Sequence, residues 1–252
     1  MKTNVILYAT VATSLLVGST AYAEEASEAS EFSIGMVYVG GASVYSNVKS
    51  TSALMPSISY QSDTLSVSVQ EGLAYKFMVD EAAELSFTVA PKFRPYKSSD
   101  SSALTGMTRA MYFDGAVNAS YKLSHGLTAN IKLATELTNK FKGNSANLAL
   151  SQFVPIFGQP LVFQAGAKWL DAKRANYLYG VRASEATSLR TEYAPGSAIL
   201  PYLSVSTFYS LTEQTSLFAN LNANFLPSNL VDSPIVSRKR SVSSVLGLSY
   251  SF

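Results

Sequence analysis

A two-residue rhythm runs through most of this chain and constrains its fold more than any other feature. In residues 64–70, Leu65, Val67 and Val69 alternate with Thr64, Ser66, Ser68 and Gln70. Later, Leu217, Ala219, Leu221, Ala223 and Phe225 oppose Asn220, Asn222 and Asn224, and Leu246, Leu248, Tyr250 and Phe252 oppose Gly247, Ser249 and Ser251. Phe32, Ile34, Met36 and Tyr38, then Leu73, Tyr75, Phe77 and Val79, then Leu85, Phe87 and Val89, then Leu127, Ala129, Ile131 and Leu133 follow the same pattern. A period of two places successive side chains on opposite faces of a strand, so each segment reads as a β-strand with one apolar and one small polar face.

Alternation alone fits a soluble sandwich as well as a membrane barrel, and composition separates them. The polar face of a soluble sheet is rich in Lys and Glu, whereas here it is Ser, Asn, Thr and Gly. Only 14% of the 252 residues are charged, against about a quarter in ordinary soluble domains. Tyr60, Tyr121, Tyr209, Tyr250 and Phe252 stand at strand ends, where an interfacial aromatic girdle sits. The reading is all-β: a transmembrane antiparallel β-barrel of the outer membrane, residues 32–252. Short connections alternate with long ones at 91–110, 171–197 and 226–240, and the strands number twelve. The third and fourth are shorter than the roughly 9–11 residues needed to span a bilayer, so the count becomes ten, or another even number, if residues 64–79 form one bulged strand. By parity Leu65, Val67, Val69 and Leu221 face lipid, while Ser66 and Asn222 face the lumen.

Export is written at the other end. Lys2, an uncharged stretch from Val5 to Val17 and the triplet Ala21, Tyr22, Ala23 have the form of a cleaved signal peptide over residues 1–23. Residues 24–31, with Glu24, Glu25, Glu28 and Glu31, then read as a flexible acidic leader. The expected location is the cell outer membrane. No later window holds 18 consecutive apolar residues, which argues against a helical membrane protein.

A search for chemistry finds little. There is no Cys and a single His, with 19 Lys and Arg against 17 Asp and Glu. Thiolate sites are excluded, no metal or cofactor is expected, and the net charge of +2 gives no reason to expect nucleic-acid binding. His125 precedes Gly126 and reads as a turn residue rather than a base. Ser46 and Lys49 have the spacing of a Ser-x-x-Lys pair but fall where a strand meets a loop, so no enzyme is expected. By parity the charged residues Lys76, Asp114, Lys122, Lys132, Glu136 and Lys168 point inward. They either line a water-filled path or pair with one another and plug it. Arg238, Lys239 and Arg240 form the one basic run, a solvated loop or a contact for lipopolysaccharide phosphates. Leu248, Tyr250 and the terminal Phe252 have the pattern by which the barrel assembly machinery recognises its substrates.

The last third carries a wider resemblance. Tyr177-Leu178-Tyr179-Gly180-Val181, Ser184-Glu185-Ala186, Tyr193-Ala194-Pro195-Gly196-Ser197, Phe208-Tyr209-Ser210-Leu211-Thr212, Asp232-Ser233-Pro234-Ile235-Val236 and Gly247-Leu248-Ser249-Tyr250-Ser251-Phe252 together resemble the MltA-interacting protein (MipA)/OmpV family of outer-membrane proteins. Arg190-Thr191-Glu192 replaces a stretch that often holds Gly and Pro in that family. The resemblance implies an outer-membrane barrel in contact with lipid and lipopolysaccharide. Its implied role is a non-enzymatic scaffold linking murein-synthesising and murein-degrading enzymes, a penicillin-binding protein and a lytic transglycosylase. A narrow diffusion channel, or an osmotically regulated adhesin, is the alternative.

Overall fold

The computed structural model describes residues 30–156 and 159–252, so the expected signal peptide (residues 1–23) and most of the expected acidic leader (residues 24–31) lie outside the described residues. Twelve strands close into one antiparallel barrel in sequence order: β1 (Glu31–Gly41), β2 (Thr51–Gln61), β3 (Leu65–Ser68), β4 (Gly72–Met78), β5 (Ala83–Lys92), β6 (Tyr112–Ser124), β7 (Leu127–Glu136), β8 (Asn144–Ile156), β9 (Gln159–Leu170), β10 (Ala198–Ser210), β11 (Thr215–Phe225) and β12 (Arg240–Ser251). Closure comes from β1 pairing with β12, with Met36 opposite Leu248 and Ile34 opposite Tyr250. No strand edge is then left between the two ends of the chain, which lipid would penalise.

The wall is inside out relative to a soluble protein. Leu54 and Leu148 are each 60% exposed on the outer surface, while Asn222 and Ser151 are 3% exposed within the lumen. Val67, Val69 and Leu221 are exposed on the outside with their neighbours, as parity requires. Asn, Gln and Ser side chains hydrogen-bond one another across the inner surface: Asn130 and Gln164 both donate to Ser151 Oγ, at 3.0 and 2.9 Å, and Asn220 donates to Ser204 Oγ at 2.8 Å.

Short turns gather at one end, which by the sidedness of such barrels is periplasmic. A two-residue turn joins β6 to β7 through His125 (φ 40°) and Gly126 (φ 80°), with Ser124 opposite Leu127. Two successive left-handed residues match the twist of the flanking strands, so the lone imidazole sits in a hairpin turn.

Residues 64–79 are two strands rather than one bulged strand. β3 and β4 form a hairpin turning at residues 69–71, with Leu65 opposite Tyr75 and Ser68 opposite Gly72. Gly72 makes this turn at φ 81°, and a Cβ there would lie 2.1 Å from the Val89 carbonyl oxygen of β5. Only glycine fits.

The apolar core lies outside the barrel, at the extracellular end. Residues 42–50, 93–111, 171–197 and 226–239 fold over the mouth, burying Val44, Tyr45, Tyr96, Leu104, Met107, Leu178, Leu230 and Ile235 in one cluster. The first strand therefore ends at Gly41, because Val44 and Tyr45 turn into this cap. Within it α1 (Ala172–Tyr179) starts where Asp171 accepts the Arg174 N–H, a side-chain cap that satisfies one of the free donors of the first turn. It ends at Gly180 and presents Ala175, Tyr177, Leu178 and Tyr179 to the cluster. A second short helix, α2 (Ser228–Val231), adds Leu230.

Candidate functional site

Beneath the cap lies a cavity of about 180 Å³, and its two sides differ in chemistry. The roof is apolar, with Val44, Leu178, Tyr179 and Leu226 from the cap. The wall supplies Lys92, Lys132, Lys168 and Asp114, and α1 adds Arg174.

Register explains how these cations come together. Lys76 lies opposite Ser86, Ser86 opposite Asn118, Asn118 opposite Lys132, Lys132 opposite Asn147 and Asn147 opposite Lys168. Lys76, Lys132 and Lys168 thus stand on one hydrogen-bonding line across β4 to β9. At a strand spacing of about 4.8 Å, the steps along it are about 14 Å and about 10 Å. Strands in such barrels tilt by roughly 35–45°, so the line climbs as it goes round. Lys76 is two residues from the periplasmic end of β4, and Lys168 two residues from the extracellular end of β9. The Oδ1 atoms of Asn118 and Asn147, on the same line, are buried with no hydrogen-bond donor in the protein.

The inward acids are committed elsewhere. Asp114 makes a bidentate pair with Arg174, both contacts at 2.8 Å. Arg174 also donates to the Gly143 carbonyl at 3.1 Å and lies over the rings of Tyr112 and Phe141. Glu136 accepts from the backbone N–H groups of Thr138, Phe141 and Lys142 at 2.6, 3.2 and 3.0 Å, and from the Thr138 hydroxyl. Its carboxylate therefore ties down the loop after β7. Among the described residues these inward charges form no ion pair with one another, and Asp114 is neutralised by Arg174 of the cap. Among the described residues, no carboxylate oxygen lies within 4 Å of the amino groups of Lys76, Lys92, Lys132 or Lys168. Glu71, at the tip of the β3–β4 hairpin, lies half-buried within electrostatic range of Lys132, Lys92 and Lys76.

The remaining expected residues are dispersed. Lys122 is exposed at the periplasmic rim, and Arg238, Lys239 and Arg240 are exposed at the opposite end. Leu248 and Tyr250 lie on the outer face of β12, while Phe252 packs its ring 5.9 Å from Phe32 and 5.1 Å from Tyr250.

Two groups escaped the sequence reading. Lys92 was accessible to it, because alternation from Ser86 through Thr88 and Ala90 puts Lys92 on the inner face. The arginines of the cap carried no periodic signal. Arg109 donates to Glu185 through both terminal guanidinium nitrogens, at 2.6 and 3.1 Å, and to the carbonyls of Tyr177 and Gly180. Arg190 clamps residues 93–111 to residues 171–197 through the carbonyls of Ala103, Thr105 and Glu185. Burial works to raise the Glu185 carboxyl, but hydrogen bonds from Arg109 and the Arg182 N–H outweigh it and hold the group below the usual carboxylate range.

Comparison with known proteins adds relatives to this geometry. The family model described as MltA-interacting protein MipA matches residues 34–252. YiaT of Escherichia coli K12, which carries an outer-membrane protein name, is 28% identical over 228 residues, 89% of this chain and 92% of its own. Outer membrane protein Omp26La of Vibrio anguillarum is 24% identical over 75% of this chain and 73% of its own. Among solved structures, the COG4313 outer membrane channel from Pseudomonas putida F1 aligns with a TM-score of 0.46 at 11% identity, over 90% of this chain and 97% of its own.

Proposed function

Since the chain belongs to the MltA-interacting protein MipA family and is an outer-membrane β-barrel, we propose that its lumen is a narrow, cap-gated path for small anionic solutes. The observation that supports this is the register line of Lys76, Lys132 and Lys168, which climbs the lumen with no ion-paired acid to cancel it. Fixed charges of one sign lining a low-dielectric path raise the local concentration of the opposite ion. A cavity of about 180 Å³ suits a group the size of a carboxylate or phosphate. The cap closes the path from outside, so passage requires it to loosen. No residue in this reading performs catalysis.

A second reading, a scaffold for murein enzymes, draws its support from the family's description as MltA-interacting. Such a partner would meet a periplasmic rim built of turns such as residues 62–64, 79–82 and 211–214, so the residues before β1 would have to contribute.

Conductance in planar bilayers separates the two. The wild-type chain should pass anions in preference to cations, and Lys132→Glu should shift the reversal potential toward cation selectivity. Silence from both proteins, together with retention of a purified lytic transglycosylase by the immobilised barrel, would favour the scaffold.

A further inference from the structure

The wall has a notch. β3 has four residues and β4 seven, and their hairpin stops partway up the barrel. β3 pairs with β2 only over Ser59, Tyr60 and Gln61, so above the hairpin residues 51–57 of β2 have no strand beside them on that side. Across the opening, β4 pairs with β5 only as far as Val89, which leaves Ala90, Pro91 and Lys92 equally unaccompanied. β2 and β5 do not pair with each other among the described residues. Two missing strands at about 4.8 Å spacing make an opening on the order of 10 Å across in the outer half of the wall.

Both rims are built for an edge. The Pro56 carbonyl faces the hairpin, where it accepts from Gln70 Nε2 at 3.0 Å. Its missing N–H therefore also lies on the notch side. On β5 the Val89 carbonyl faces Gly72 of β4, and Pro91, two residues on, turns the same backbone edge to the notch. Proline belongs on edge strands, where it removes a donor that would otherwise be unpaired. Gln70 closes the lower corner, with Ser57 Oγ donating to its Oε1 at 3.4 Å. Backbone of this kind is tolerated at membrane depth where it borders a hydrated cavity. The cavity under the cap supplies one: Ser52 and Ala53 from the β2 rim, and Lys92, Phe93 and Pro95 from the β5 side, all line it.

We infer that the notch between β2 and β5 is a lateral port, through which a single-chain amphiphile with an anionic head passes between the outer leaflet and the chamber. The head sits among Lys92, Lys132 and Lys168 while the tail lies in the notch. The volume enforces this division, because about 180 Å³ holds the head and the first few carbons of such a molecule but not a long chain. The apolar roof of Val44, Leu178 and Leu226 covers the carbons nearest the head. This assignment rests on the reading of the lumen as an anion path and names the class of anion.

The chain has no Cys, which makes a direct test available. Ala53→Cys places a thiol on the inner face of β2 at the rim, and Ala149→Cys places one on the inner face of the continuous wall, where Ala149 is buried. In phosphatidylcholine nanodiscs, a bilayer-dissolved pyrene maleimide should label the first much faster than the second. Laurate at about ten times its Kd should slow labelling of Ala53→Cys about tenfold by simple occupancy, and adding Lys92→Glu should abolish that protection. Heat-modifiable migration verifies folding, and Met55→Cys, also inward on β2, substitutes if Ala53→Cys does not assemble. Equal labelling of rim and wall would overturn the port. Protection by inorganic phosphate as strong as by laurate would overturn the amphiphile and leave the anion path standing. Laurate protection in a barrel without anion selectivity would remove the path and leave the port.

Discussion

The cap and the wall of this protein bury opposite kinds of side chain. In the cap Tyr96, Leu104, Met107, Leu230 and Ile235 are fully enclosed, and the charges among them, Arg109 and Glu185, are paired. In the wall the enclosed residues include Asn118, Asn130, Ser151 and Asn222, and most large apolar side chains face outward, with Met55, Leu200, Tyr202 and Val245 among the few that are buried. The difference follows from solvent. The cap meets water and folds by withdrawing apolar surface from it, whereas the wall meets acyl chains outside and keeps its polar groups for a hydrated interior. One chain obeys both rules, so the two regions should respond differently to the same kind of damage.

The largest effect should come from breaking the buried ion pair of the cap. Arg109→Ala leaves Glu185 enclosed with only the exposed Arg182 guanidinium at 4.0 Å and the Arg182 N–H for partners, and breaking a buried pair in this way typically costs about 3–5 kcal/mol. It should expose residues 93–111 and 171–197 to protease while heat-modifiable migration of the barrel persists. Acid offers a second handle on the same contact. The Glu185 carboxyl is held low, so its contribution is complete at neutral pH and is lost as pH falls through its folded value, below the ordinary carboxylate range. Cap amide exchange should therefore quicken in strong acid in the wild type, and little further in Arg109→Ala. Simultaneous loss of cap and barrel would show that they are one cooperative unit and end the comparison.

Next in size is a charge on the lipid face. Leu221→Arg should cost about 2–4 kcal/mol near the midplane, measured by urea unfolding in lipid vesicles. Ser66→Arg, pointing inward on the short hairpin, should cost much less because the lumen hydrates it. Asn222 sharpens the test: it also points inward but is 3% exposed, so Arg there overfills a packed site, typically at about 1–3 kcal/mol. Equal losses at Leu221 and Ser66 would mean the two faces are not distinguished by solvent.

How much of this was legible in the sequence follows the same division. The wall was readable because its signal is local: residues two apart share a face, and Leu217 to Phe225 show it without knowledge of any neighbour. The His125-Gly126 turn was legible for the same reason. The cap was hidden inside long connections, since Arg174 meets Asp114 across 60 positions and Arg109 meets Glu185 across 76, and no periodicity records such pairs. The inward direction of Lys76, Lys132 and Lys168 could be read from parity. Their common line could not, because register is a relation between strands. The shortness of β3 and β4 was visible but read as a doubt about strand number, whereas in the fold it opens the wall.

The smallest thermodynamic effect belongs to the seam, where wall meets wall at the ends of the chain. Phe252 is 70% exposed, yet its N–H donates to the Phe32 carbonyl at 3.0 Å, and its ring touches those of Phe32 and Tyr250. Deleting it removes one edge hydrogen bond, worth about 0.5–1.5 kcal/mol, together with contacts that remain partly lipid-solvated. Unfolding of the already assembled barrel should therefore shift by only about 1 kcal/mol. Assembly is a different quantity. If Leu248, Tyr250 and Phe252 form the signal read by the assembly machinery, the deletion should sharply lower the amount of heat-modifiable barrel in cells and divert the chain to periplasmic proteolysis. Phe252→Tyr, which keeps the ring and the backbone bond, should restore both. Normal assembly of the deletion at native expression would reduce Phe252 to an interfacial anchor, while a deletion that destabilises the purified barrel by several kcal/mol would place its role in the folded seam instead.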